Sequence, residues 1–266
     1  MPGVLEIIKR RWPEVLLIVV FQAGALVLMA QFEDLSANPD DSIPQVSPVT
    51  GLFLSTAIMT LALLCLMLIL GFTATAYYEG SVPQQPARLV KVGKYFFWRM
   101  VRFQLLFGLA CLILSAMIFS VFGGIFFGGI PIEDYPEWFE RLCFFLTMVI
   151  LAKPMLIIPA EMIVTDCMVL ESVSSFWQYE LQRAKTLLKL FAGGLVVLFL
   201  LSLPVDAAEE DGFGYYAALA ACAVVAGFFT IVINLEAVLF VGRETKAAEK
   251  VETTERSDEF EDVKPE

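Results

Sequence analysis

The sequence predicts an all-α polytopic membrane protein of six transmembrane helices, arranged as three helical hairpins, each preceded by a cytoplasmic amphipathic interfacial helix. Three observations carry that reading. The chain is 58% hydrophobic over 266 residues, with a mean hydropathy of +0.75, more apolar surface than one soluble core of this size can bury. Apolar runs of the ~20 residues that a bilayer-spanning helix needs recur along it. Its cations also alternate between connections, sixteen of the eighteen Lys and Arg falling on one side.

The six spans are read at about 14–32, 52–78, 103–127, 141–164, 187–203 and 215–241. Turn signals separate them: NPDDSIPQVSP after the first, GGIPIEDYPEW after the third and PVDAAEEDGFG after the fifth. Those three connections carry twelve Asp or Glu and one cation, Arg141. The remaining segments hold Lys9, Arg10 and Arg11, then Arg88, Lys91, Lys94, Arg99 and Arg102, then Arg183, Lys185 and Lys189, and five more in the tail. The positive-inside rule assigns this cationic side to the cytoplasm, with both termini inside a bacterial or archaeal inner membrane. The first span lacks a small-x-small cleavage site, Leu28 preceding Ala30, and reads as a retained anchor. Residues 1–242 form one membrane domain, and the tail 243–266, which mixes both charges without hydrophobic periodicity, reads as a disordered extension.

Two cytoplasmic segments show helical spacing. Leu89, Val92, Phe96, Met100 and Phe103 recur at steps of three and four, with Arg88, Lys91, Lys94, Arg99 and Arg102 mostly on another face. Val173, Trp177, Leu181, Ala184 and Leu188 repeat the pattern, and VLEIIKRRWPE is a shorter version at the N-terminus. Such helices place an apolar side in the acyl boundary and their cations near anionic headgroups, which makes membrane lipid an expected partner and other membrane proteins a second. MLIL at 67–70 echoes MLII at 155–158, and TIVINLE at 230–236 echoes MLIIPAE at 155–161, suggesting repeated units of surface helix and paired spans.

RLVKVGKYFFWRMVRFQLL together with TDCMVLESVSSFWQYELQRAKTLLK resembles a loose group of bacterial and archaeal polytopic proteins, which includes the membrane domain that accompanies some glycerophosphodiester phosphodiesterases and related six-span proteins. The resemblance covers most of residues 80–240. It implies architecture alone, since no phosphodiesterase domain is attached and the chain has no His.

That lack of His removes the commonest general base and the commonest metal ligand. Cys65, Cys111, Cys143, Cys167 and Cys222 form no CxxC and read as small buried hydrophobes. No P-loop, GxGxxG after a strand, HExxH or GxSxG occurs. Gly123-Gly124, Gly128-Gly129 and Gly193-Gly194 read as close-packing or turn glycines. No catalytic residue, metal or cofactor is expected. The basic clusters hug the membrane, so nucleic acid is not an expected partner.

The polar candidates lie within the spans. ILAKPMLIIPAEMIVTD places Lys153 at the centre of span four, where a charge costs ~3 kcal/mol and normally faces protein or water. Pro154 and Pro159 each remove a backbone donor, so the span is expected to kink or unwind there, freeing carbonyls for the ammonium. Glu161, Glu236, Asn234 and Gln22 are the candidate partners of Lys153. The expected function is a non-enzymatic membrane scaffold or accessory subunit that organises lipid or partner membrane proteins. The alternative is a small transporter or permease component with Lys153 and Glu161 on its path. A lipid-modifying enzyme would need a carboxylate cluster at one membrane edge with a base or metal, and no such constellation is apparent.

Overall fold

The computed structural model describes residues 3–37, 48–128, 135–179, 185–206 and 213–261. Among them the secondary structure is helical throughout: α1 (Val4–Arg10), α2 (Trp12–Ala37), α3 (Pro48–Glu79), α4 (Pro86–Phe126), α5 (Glu137–Val164), α6 (Val169–Ser175) with a 3-10 turn at Phe176–Gln178, α7 (Lys185–Asp206) and α8 (Phe213–Glu261). Five stretches are long and apolar enough to cross a bilayer: Trp12–Met29, Gly51–Glu79, Pro86–Phe126, Leu142–Val164 and Gly214–Ala248. The protein is a multi-pass, all-helical membrane protein. The expected fifth span, 187–203, is helical in α7, with the side chains past Val197 outside the described residues. Outside them too lie the acidic connections at 38–47, 129–134 and 207–212, as well as Gly129, Leu181, Arg183 and Ala184.

The chain falls into two compact units, Met1–Phe97 with Lys189–Glu236, and Trp98–Leu188 with Ala237–Glu266. In the first unit, α1 and α2 are separated at Arg11 because Pro13 has no N–H to continue the ladder and its ring disfavours helix just before it. Cys65, Leu68, Phe72 and Ala76 make a buried stripe on α3, and Ile7, Val15, Ile18 and Val19 are buried on α1 and α2. Gly80, at φ 67, ends α3. Beyond it α4 crosses α3 at backbone contact. A Cβ on Gly71 would stand 1.9 Å from the Leu89 carbonyl oxygen, and one on Gly93 would stand 1.8 Å from that of Met67. Gly194 of α7 meets Phe229 and Ile233 of α8, as a close-packing glycine should, while Gly193 faces open space.

In the second unit, the C-terminal end of α4 and the N-terminal end of α5 are tied by Phe119, Phe127, Tyr135 and Phe139, whose rings lie 5.0 to 5.7 Å apart. Gly123 packs under Tyr135, whose ring a Cβ would meet at 2.7 Å, whereas Gly124 is open. The C-terminal half of α5 buries Leu156, Ile157, Ile158, Ala160, Met162 and Ile163.

The structure bears on three expectations. The surface helix expected at 86–102 and the span at 103–127 are one unbroken helix, α4, of 41 residues and ~61 Å. Leu89, Phe96, Met100 and Phe103 are buried against protein, so that face does not meet acyl chains. The tail expected to be disordered is helical as far as Glu261. Its Ala, Glu and Lys residues are strong helix formers, and no proline interrupts it before Pro265. Finally, α5 runs continuously through Pro154 and Pro159, so local unwinding is not found.

Candidate functional site

Glu161 sits one turn before the end of α5 and is only 5% exposed. The chain then reverses at Asp166, a non-glycine residue at φ 56. Arg99 of α4 holds that reversal: its Nη1 donates to the Asp166 carboxylate and, at 3.0 Å, to the Asp166 carbonyl. The Glu171 carboxylate accepts from the Met168 N–H at 2.8 Å and starts α6. This geometry folds α6 and the 3-10 turn back along the C-terminal half of α5.

Hydroxyls therefore converge on Glu161. Ser175 Oγ donates to Oε1 at 2.6 Å. Ser172 and Tyr179 present hydroxyls to the same carboxylate without closing a bond of ordinary geometry, so Oε2 is buried with no donor. Ser172 is itself 2.9 Å from Cys167 Sγ, and the Tyr179 ring lies beside the Phe240 ring of α8. Burial, then the Glu161 charge, push the Tyr179 phenol up to about 12. Among the described residues no Lys or Arg pairs with Glu161.

The expected face of this segment is corrected by the same contacts. Val173 and Trp177 are exposed, while Val169, Ser172 and Phe176 are buried. A buried carboxylate needs hydrogen-bond donors, so the serine-bearing side turns inward and leaves Trp177 out.

Lys153 is half-buried, and its Nζ lies 5.4 Å from the Phe176 ring centroid and 5.5 Å from that of Trp177. The ammonium thus sits on two ring faces. Lys153 and Glu161 make no ion pair, although the fold-back gives both of them partners from one short segment. Asn234 and Glu236 belong to the other unit, where Asn234 Nδ2 donates to the Thr230 carbonyl of its own helix at 2.7 Å. Of the basic residues on α4, Arg88 pairs with Glu79 and Arg99 with Asp166, while Lys91, Lys94 and Arg102 are exposed.

Sequence reasoning missed a second buried charge. Arg11, counted only as a topological cation, has 0% exposure. Its Nε donates to both Glu14 oxygens, at 3.1 and 3.0 Å, and its Nη2 donates to Glu14 and, at 2.9 Å, to Thr75 Oγ1. The Phe72 ring centroid is 4.5 Å from its Cζ, and the Gln84 N–H donates to Glu14 Oε1 at 2.7 Å. One ion pair thereby ties the α1–α2 junction to α3 and to the loop ahead of α4. The RxxE spacing at 11–14 was the only signal in the sequence.

Chemically, the two centres differ. Arg11 and Glu14 neutralise each other, and Thr75 accepts a further bond from Nη2, while Nη1 is buried with no acceptor. Glu161 is a lone buried carboxylate in a ring of hydroxyls. Comparison with protein-family models, with curated proteins and with solved structures found no match to this chain.

Proposed function

We propose that this protein is a non-enzymatic membrane scaffold or accessory subunit, with both termini in the cytoplasm and six spans counting α7. The carrying observation is how its membrane-facing and polar groups are divided. Much of α4 beyond Phe103 is exposed, leaving Leu105, Leu109, Leu112, Met117, Val121 and Ile125 for lipid or a partner helix. Near its start α3 adds a shallow groove of about 410 Å³, lined by Phe53, Thr56, Ala57, Thr60, Leu61 and Leu64. Thr56 and Thr60 turn their hydroxyls back onto α3 carbonyls, so the groove presents carbon. Arg11, Glu14 and Lys153, by contrast, are engaged by neighbouring elements of the chain itself. Lys91, Lys94 and Arg102 supply cations for anionic headgroups.

The test is purification in a mild detergent followed by identification of what remains bound. A scaffold or subunit brings a membrane protein or a particular lipid at fixed stoichiometry. Recovery alone with bulk lipid counts against it. The transporter reading is separated by Lys153→Leu in proteoliposomes: a transporter loses flux and keeps its fold, whereas a scaffold tolerates the change.

A further inference from the structure

Glu161 carries a charge problem that the rest of its surroundings do not solve. An ionised carboxylate this deeply buried is sustained only by a compensating positive charge or by protonation. The partners that reach it are neutral hydroxyls from Ser175, Ser172 and Tyr179. Among the described residues, the other ionisable groups nearby are already committed. Asp166 is paired with Arg99, Glu171 caps α6, and the Lys153 ammonium lies over Phe176 and Trp177. Cys167 is held by Ser172, and Tyr179 lies beside Phe240 of α8, the helix on which Arg243, Glu244 and Lys246 also follow in sequence. Oε2 is the one buried oxygen of the cluster with no donor.

We propose that Glu161 binds one small monocation, H⁺ or Na⁺, at Oε2, and that its occupancy keeps α6 and the 3-10 turn docked on α5. Ser172, Tyr179 and Ser175 supply the remaining oxygens. Entry would start from the exposed Thr165 and Asp166. With the site empty, the unbalanced carboxylate draws water in from that side and separates Ser175 from Glu161. Phe176 and Trp177 then leave Lys153. The site is independent of the scaffold reading above.

The experiment uses the full chain in lipid nanodiscs with Trp12, Trp98 and Trp138 replaced by Phe, so that Trp177, next to the Lys153 ammonium, reports docking. Emission is followed over about pH 5 to 9, a range that spans shifted carboxylates, in NaCl and in choline chloride of equal ionic strength. The expected result is a one-proton transition that Glu161→Gln abolishes and Glu161→Asp displaces. Arg183→Gln and Glu171→Gln leave it in place. A midpoint moved to lower pH by Na⁺ identifies Na⁺ as a competing occupant, and a midpoint indifferent to Na⁺ identifies the proton alone. Either supports the site. A transition that persists in Glu161→Gln, one that Arg183→Gln removes, or a flat emission in both salts overturns it. Glu161→Asp keeps the test valid should Glu161→Gln fail to fold.

Discussion

Gly71 and Leu89 meet so closely that any side chain on the glycine would collide with the leucine's carbonyl oxygen, and Gly93 meets Met67 in the same way one crossing further on. Two glycines on different helices thus set the distance between α3 and α4. Neither obstacle is a side-chain tip that can swing away. Gly71→Ala and Gly93→Ala should each cost at least ~3 kcal/mol, at or beyond the upper end for overpacking. Gly24→Ala and Gly108→Ala, which face open space, should be neutral or gain up to ~1 kcal/mol from helix propensity. Thermal midpoints of the four purified variants check this.

Removing one member of the Arg11–Glu14 pair leaves the other buried and unpaired. Glu14→Gln and Arg11→Gln should each cost ~3–5 kcal/mol. Replacing both with apolar residues of similar volume should recover most of that loss. Thr75→Val, which deprives Nη2 of one acceptor, should cost ~1–3 kcal/mol. A double-mutant cycle on unfolding in detergent separates the three.

Asp166 combines a left-handed backbone with an ion pair to Arg99. Asp166→Ala keeps the unfavourable φ and loses the pair, so it should be the most damaging change there. Asp166→Gly loses the pair but relieves the backbone, and should be ~1 kcal/mol more stable than the alanine variant. Protease cleavage within 165–185 reads the order.

Lys153→Leu removes an interaction with two rings worth ~0.5–2 kcal/mol and also an intramembrane charge costing ~3 kcal/mol. The second effect is larger. Stability should be unchanged or higher, measured as the midpoint of thermal aggregation.

The membrane class was legible because crossing a bilayer demands ~20 apolar residues in succession, a local signal that needs no partner. Helix junctions were less legible. The boundary expected between Arg102 and Phe103 rested on a change of polarity, but nothing there breaks a helix, and polarity alone does not. Lys153 and Glu161 stood out because charges are costly in hydrocarbon. Their partners did not, since Ser172, Ser175 and Phe176 lie on a segment whose apolar spacing pointed to its other face. Arg11 illustrates the general obstacle. Its acceptor Thr75 is 64 positions away, and a charge looks solvated until the fold brings its surroundings together.

The charged end of α8 changes what the net charge of −11 means. From Gly242 to Glu261 the helix advances ~29 Å along its axis, more than three screening lengths at physiological salt. Asp258, Glu259 and Glu261 are carried at the far end of a stiff post. The acidity of the chain is therefore not spread evenly along α8: charge at the tip of the post is screened from the apolar turns before Gly242.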